Sequence, residues 1–409
     1  MKEEIEKLKK SLEEIDEIVL ENVEFTAEEL TLIPSSEGYS PKMLKAYSLV
    51  KQLEQLLSPG VHPPIEKVEE AVALPVFEKL TFEKPLAKFT GTITPVTFGK
   101  TKKEGGSRSH TLTVGGETTM PFYRFETENP YRPLIALDVF DMKISLAKPV
   151  KKAFKEVLED PGEWARWCVE KYGADMVTIH LISTDPFLKD TKSKEASKVV
   201  EEVLQAVKVP IIIGGSGNPE KDPEVLERAC EVSEGERCMI NSASLNSDYK
   251  RVARACMEYG HIVLAFTSMD LNDQKTLNRY LFEMGIQKKD MLMDPTTAAL
   301  GYGLEYSFTI MERVRLSGLK GDEDLQQPIS SGTTNAWGAR EAWMKNPEWG
   351  ERMKRGPLWE AVTALTLSLA GSDVFMMMNP LAVKLFKKMI DTLTSSEKSK
   401  IRARDWISM

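Results

Sequence analysis

The chain is poor in the residues that usually hold metals. Among its 409 residues there are four cysteines and four histidines. Cys168, Cys230, Cys238 and Cys256 form no C-x-x-C pair, and their spacings fit no zinc or iron–sulfur pattern. They read as buried free thiols in a reducing compartment. A multi-histidine metal centre is not expected either. No uninterrupted apolar stretch is long enough to cross a bilayer. The N-terminus MKEEIEKLKK is a charged helix former and not a signal peptide. Positive charge is in deficit: 54 Lys and Arg stand against 62 Asp and Glu, a net charge of −8. That argues against nucleic acid or an anionic membrane surface as a partner. The expected setting is the cytoplasm. Neither G-x-G-x-x-G nor G-x-x-x-x-G-K-[ST] occurs, and no Ser–His–Asp or Cys–His arrangement can be argued.

What the chain does have is a rhythm. Eight short apolar runs are each followed by a helical stretch: IALDVF (135–140), DMVTIHL (175–181), PIIIGGSG (210–217), CMINSAS (238–244), HIVLAFT (261–267), MLMDPT (291–296), QPISSG (327–332) and DVFMMM (373–378). Strands buried on both faces read as continuous apolar runs, and parallel strands need crossovers. The pattern predicts an α/β fold, a closed (β/α)₈ TIM barrel of about 260 residues. Chemistry in that fold sits at the carboxyl ends of the strands, here Asp138, His180, Ser216, Asn241, Thr267, Asp294, Ser331 and Asn379.

Around the barrel (131–396) the chain divides into a helical N-terminal arm (1–57), a linker (58–84), a β-rich segment flanking the barrel (85–130) and a C-terminal tail (397–409). In the arm, Ile5, Leu8, Leu12, Ile15 and Val19 form one apolar stripe. It suits a solvated helix or a docking arm equally well. Strands are expected within 89–99, 110–116 and 120–126. Helices are expected near 149–171, 193–207, 222–233, 248–259, 271–284, 303–318, 336–370 (broken at Pro347 and Pro357) and 380–394. Asp222-Pro223 and Asn379-Pro380 each pair an N-cap residue with proline at the first helical position. Trp343, Trp349 and Trp359 fall in the long seventh unit, where they serve core packing or an interface.

Several strand ends could carry chemistry. In MLMDPTTAALGYG (291–303), Asp294 either supplies a carboxylate at the barrel mouth or caps the next helix. Asn241 in CMINSASLN can both donate and accept, as reading a polar heterocycle requires. GGSGN brings Ser216 and Gly217, whose backbone can approach a flat or anionic ligand or simply turn. PISSGTTNAWG places Ser331, Thr333, Thr334 and Asn335 after the seventh strand, where barrels often hold phosphate, yet no Lys or Arg lies inside it. His180 ends the second run as a general acid or as a hydrogen-bonded structural residue. Asp138 and Asp141 are three apart, on opposite faces of a strand. Hydroxyls and amides at the mouth suit binding a large polar ligand, or receiving another subunit, better than covalent catalysis.

The segments ALDVFDMKISLAKPVKKAF, ADMVTIHLISTDP, PIIIGGSGNPEKDPEVLE, NSASLNSDYK, MLMDPTTAALGYGLEYSFT and PISSGTTNAWGAREAW together resemble the small (delta) subunit of the corrinoid iron–sulfur protein of the acetyl-CoA decarbonylase/synthase (CO dehydrogenase/acetyl-CoA synthase) complex. The resemblance covers about residues 85–395, and the long arm is similar to the archaeal type. It implies a non-redox subunit, inactive alone. Such a subunit pairs with a gamma subunit that carries the corrinoid and a [4Fe–4S] cluster, and it covers the corrinoid during methyl transfer. The methyl group passes between a tetrahydropterin carrier and the acetyl-CoA synthase metal cluster. The further partners implied are the acetyl-CoA synthase and CO dehydrogenase subunits. No cofactor is expected of the chain's own, apart from a tetrahydropterin at the mouth. The wider family includes pterin-dependent methyltransferases, whose pocket uses an Asn before Ser and an Asp before Pro. Asn241 and Asp294 match those positions, and Asn335 matches a third. The family's first-strand Asp-x-Asn is absent, since Val139 and Phe140 follow Asp138. The ligand-binding set expected on this basis is Asn241, Asp294, Asn335, Ser331, Thr333, Ser216, Gly217, His180 and Asp138, with no catalytic nucleophile. Two other readings fit the same residues: a free-standing pterin-dependent methyltransferase, and a purely structural scaffold.

Overall fold

The structure is a computed structural model, and it describes residues 87–395 except 124–126 and 128. The arm, the whole linker, the first two residues of the β-rich segment and the tail lie outside the described residues. Eight parallel strands close a barrel: β3 (Leu134–Phe140), β4 (Met176–His180), β5 (Ile211–Gly214), β6 (Met239–Ser244), β7 (Ile262–Phe266), β8 (Met291–Asp294), β9 (Ile329–Ser331) and β10 (Ser372–Met377), with β10 returning to β3. Side chains alternate between the two faces of each strand. Leu134, Ala136, Met176, Ile212, Met239, Ile262, Leu264, Leu292, Val374 and Met376 fill the inside. The intervening residues, such as Ile135, Val177, Ile213 and Phe375, pack outward beneath the helices. Each fully buried Leu or Ile contributes roughly 1.5–3 kcal/mol. Two-sided burial is why the strands read as unbroken apolar runs.

Before the barrel, β1 (Val96–Phe98) and β2 (Leu112–Val114) pair antiparallel. Val96, Phe98 and Val114 join the inner cluster and plug the amino end of the barrel. Two arginines lock the plug. Arg237, just before β6, donates to the Thr97 carbonyl at 2.7 Å. Arg108, 3 % exposed, donates to the carbonyls of Leu204 and Val207 at 2.9 Å and pairs with Glu236 at 2.7 Å. At the same end buried Arg315 bridges Glu117 and Asp373. A cavity of about 330 Å³ lies beside this network, lined by Glu117, Tyr131, Arg132 and Asp373 among others.

The helices are α1 (Lys148–Phe154), α2 (Pro161–Arg166), α3 (Ser193–Ala206), α4 (Asp222–Val232), α5 (Tyr249–Tyr259), α6 (Leu271–Glu283), α7 (Leu304–Leu319), α8 (Arg340–Trp343), α9 (Arg352–Ala370) and α10 (Pro380–Thr394). Three expectations need correction. The single helix expected over 149–171 is split, because Pro161 cannot donate and the Asp160 side chain caps a fresh start by accepting from Glu163 N. After α2 the chain continues as a π-helical turn over Trp167–Lys171. Conversely, Pro357 does not interrupt the seventh crossover: α9 runs through it, held by buried Ala361, Ala364 and Leu367. Finally, the described part of the strand expected over 120–126 is a turn, since Pro121 lacks a donor and Phe122 has φ +64. Among the described residues no helix is long and apolar enough to cross a membrane.

Candidate functional site

Strand alternation decides which side chains reach the mouth. Asp138 lies two residues beyond inward Ala136, His180 four beyond Met176, Gly214 two beyond Ile212, Asn241 two beyond Met239, and Asp294 two beyond Leu292. All five therefore face inward at the carboxyl ends of their strands. Register places His180 opposite Gly214, and Gly214 opposite Asn241.

Asp138 is fully buried. Its Oδ2 accepts the Thr334 hydroxyl, and its Oδ1 lies 3.1 Å from His180 Nε2 without the alignment of a hydrogen bond. The His180 ring stacks on Phe140, 5.0 Å between centroids and 20° between planes. Asn241 Nδ2 donates to the thioether of Met376 at 3.6 Å, a weak acceptor that leaves most of its hydrogen-bonding capacity unused. Asp294 is buried, and its Oδ1 accepts the Thr296 N–H at 2.9 Å. Burial pushes its pKa up to about 7. It does not cap the next helix, whose N-cap is Gly303.

The remaining predicted residues are engaged elsewhere. Ser216 N and Oγ donate to Asp222 Oδ1, and Gly217 N to Oδ2, each at 2.8 Å. Asp222 thus turns back to brace the GGSG loop and does not act as the N-cap of α4, which is Lys221. Ser331 and Thr333 are buried; the Ser331 hydroxyl shares hydrogen bonds with those of Thr297 and Thr333. Asn335 is exposed and donates to the Thr297 carbonyl at 2.8 Å. These three tie the loop after β9 to the loop after β8. Asn379 caps α10 through Leu381 N and Ala382 N.

Sequence reasoning missed Glu360. Fully buried on α9, it accepts from the backbone N–H groups of Met378 and Asn379, and burial pushes its pKa up to about 8. The available signal was a single acid inside the apolar stretch LWEAVTALTLSLA. Exposed apolar side chains follow three strands at this end: Phe187 and Leu188 after β4 and Tyr302 and Tyr306 after β8, which sequence reasoning missed, and Trp343, Met344 and Trp349 after β9, of which it singled out the two tryptophans; Phe187 is exposed by 91 % and Tyr302 by 73 %. Among the described residues no three His, Cys, Asp or Glu gather as a metal site, and the four cysteines are buried free thiols. The donors present therefore do not fit an iron–sulfur cluster.

The arrangement is a polar floor of one imidazole, one amide and two buried carboxyls inside an apolar ring. It can bind and orient a polar ligand; it presents no activated nucleophile.

Comparison of the sequence with known proteins places the chain in a family. A family model described as CO dehydrogenase/acetyl-CoA synthase delta subunit matches residues 95–346. The acetyl-CoA decarbonylase/synthase complex subunit delta of Archaeoglobus fulgidus is 56% identical over 343 residues, covering 82% of this chain and 76% of the relative. Its Methanocaldococcus jannaschii counterpart is 47% identical over 388 residues, covering 94% and 91%. Among solved structures, dihydropteroate synthase from Stenotrophomonas maltophilia with active site-bound imidazole aligns at TM-score 0.46 and 15% identity, over 65% of this chain and 95% of that one. A dihydropteroate synthase from Xanthomonas albilineans aligns at TM-score 0.44 and 17% identity, over 64% and 94%. On the sequence match, over most of its length, the chain belongs to the CO dehydrogenase/acetyl-CoA synthase delta subunit family.

Proposed function

We propose that the chain is the non-redox partner of a larger (gamma) corrinoid iron–sulfur subunit within an acetyl-CoA decarbonylase/synthase complex. In this reading its barrel mouth covers the partner's corrinoid while a methyl group passes between a tetrahydropterin and the acetyl-CoA synthase metal cluster. The observation that carries the reading is the mouth itself: polar groups with unused capacity, Asn241 and Asp294 above all, enclosed by exposed Phe187, Tyr302, Tyr306, Trp343 and Trp349. Exposed aromatics around a polar recess are what a docking face needs. The pterin would supply the methyl group. Asn241 and Asp294 would hold its polar edge, and Asp294, whose pKa burial raises to about 7, exchanges between the acid that donates and the carboxylate that accepts near neutral pH. The corrinoid and the cluster belong to the partner, and CO dehydrogenase and acetyl-CoA synthase subunits complete the assembly.

The test is methylation of cobalt in the complex reconstituted from this chain and the gamma subunit. Asn241→Ala and Asp294→Ala should each slow it several-fold to about a hundredfold, the loss of one or two hydrogen bonds at roughly 0.5–1.5 kcal/mol each, more if charged. Methyl transfer by this chain without its partner would instead indicate a free-standing enzyme. Wild-type rates in both variants would leave only a scaffold.

A further inference from the structure

His180, Gly214 and Asn241 stand at one register level on three neighbouring strands. A Cβ built on Gly214 would lie 3.3 Å from His180 Nδ1, 3.5 Å from Asn241 Nδ2 and 3.5 Å from the Ile179 carbonyl oxygen. With only hydrogen there, the two nitrogens border a notch above the glycine. The other nitrogen of His180 faces Asp138. Nε2 and Oδ1 are 3.1 Å apart, both buried, and neither has a hydrogen-bond partner. The pair is close but not aligned, and after a small turn of the imidazole a proton on Nε2 satisfies both atoms; that is the favoured tautomer, because an unpartnered buried polar atom is costly and the neighbour of one ring nitrogen sets which nitrogen carries the proton. Stacking on Phe140 holds the ring in that orientation. Nδ1 then keeps its lone pair towards the notch, beside an Asn241 N–H whose present acceptor is the Met376 thioether. The notch offers an acceptor next to a donor, and its complement is an N–H next to a C=O.

We propose that His180 and Asn241 together read an amide edge of the bound ligand, a lactam or a primary carboxamide, over Gly214. Asp138 positions the imidazole. The proposal rests on the assignment of the mouth as the ligand site. Two ligands of that site carry such an edge: a pterin has a lactam, and a corrin carries carboxamide arms.

Calorimetric titration of the full chain with 6-hydroxymethylpterin and with cobinamide separates the two sources, and pterin methylated at the lactam nitrogen removes the donor. His180→Ala should weaken the probe that binds by about threefold to tenfold, the worth of one hydrogen bond. Gly214→Ala should weaken it similarly by filling the notch. That change asks the His180 ring to move only a few tenths of an ångström, so the thermal transition should stay in place. Nitrogen-15 spectra of the imidazoles should place the His180 proton on Nε2 in the wild type and lose that preference in Asp138→Asn, which a merely structural aspartate would not do. Wild-type affinity in His180→Ala and Gly214→Ala, with binding lost in Asn241→Ala, overturns the notch and leaves the mouth standing. A proton found on Nδ1 overturns the acceptor–donor pairing. Binding of neither probe to the wild type removes the notch and the mouth together.

Discussion

Asp294 keeps one backbone N–H as a hydrogen-bond partner, and burial pushes its pKa from 3.8 up to about 7. The unfolded chain releases that proton near pH 4, whereas the folded chain holds it towards neutrality. Between those values the folded state binds more protons, so stability falls as pH rises. The penalty is absent below about pH 4 and complete above about pH 7, with an upper size on the order of 4 kcal/mol. Asp294→Asn should therefore exceed the wild type in urea stability at pH 8 and lose that advantage at pH 4. An advantage that does not change with pH would show a carboxylate ionised throughout. His261 works in the opposite direction. It is buried, with Nδ1 accepting the Cys238 N–H at 3.1 Å and Nε2 lying 3.0 Å from the Cys230 carbonyl oxygen. Burial pushes its pKa from 6.5 down to about 4. Its contribution is intact above pH 6.5 and is lost as pH falls towards 4, on the order of 3 kcal/mol. Proton NMR should find this imidazole still neutral at about pH 5; a midpoint near 6.5 would mean that the site is open to water.

The plug formed by β1 and β2 shows how an element outside the barrel supports it. Phe98 is fully buried within the barrel's inner cluster, so Phe98→Ala should cost roughly 3–5 kcal/mol in chemical denaturation, the usual range for such a truncation. A loss below about 1 kcal/mol would mean that the hairpin is not part of the core. The barrel strands were legible because two-sided burial forces continuous apolar runs. The mouth positions followed from strand ends and the two-residue period, which bring Asp138, His180, Asn241 and Asp294 to one face. Other features depend on contacts remote in sequence and left at most a faint local mark, such as the lone acid in the apolar stretch around Glu360. Arg315 and Glu360 lie on helices, where a charged residue ordinarily faces water; only the strands beneath them show that they are buried. Ser331 and Thr333 look like ligand-binding hydroxyls until Thr297, more than thirty residues earlier, engages Ser331, which in turn engages Thr333. The donors of the GGSG loop meet Asp222, which read as a helix cap. Pro357 read as a break because the packing that carries α9 across it is tertiary.

At the scale of the molecule, a net charge of −8 and the most exposed apolar side chains, Phe187, Tyr302 and Tyr306, in segments that follow the strands point to association by shape and burial more than by charge. The cysteines set a first expectation. All four are buried, and burial pushes the thiols of Cys168, Cys230 and Cys238 upward, away from the thiolate that binds metal. Metal analysis of the isolated chain should find iron and cobalt well below one equivalent; a cluster absorbance at one per chain would overturn the proposed division of cofactors between this chain and its partner. The rim sets a second. Phe187, Tyr302 and Trp343 lie in the segments that follow three different strands, Trp343 at the end of α8, so they are the side chains that a partner seated over the mouth would meet first. Their exposure makes replacement harmless to the fold, because surface substitutions away from caps and cores usually change stability by less than about 0.5 kcal/mol. Placing a charge on a desolvated contact is far more costly to binding, and hot-spot losses exceed about 2 kcal/mol. Phe187→Glu and Tyr302→Glu should therefore weaken association with the gamma subunit by about thirtyfold or more in a sedimentation or surface-capture measurement. The thermal transition and ligand binding at the mouth should remain unchanged. Unchanged association in both variants would place the docking face on another side of the barrel and leave the rim as ordinary surface.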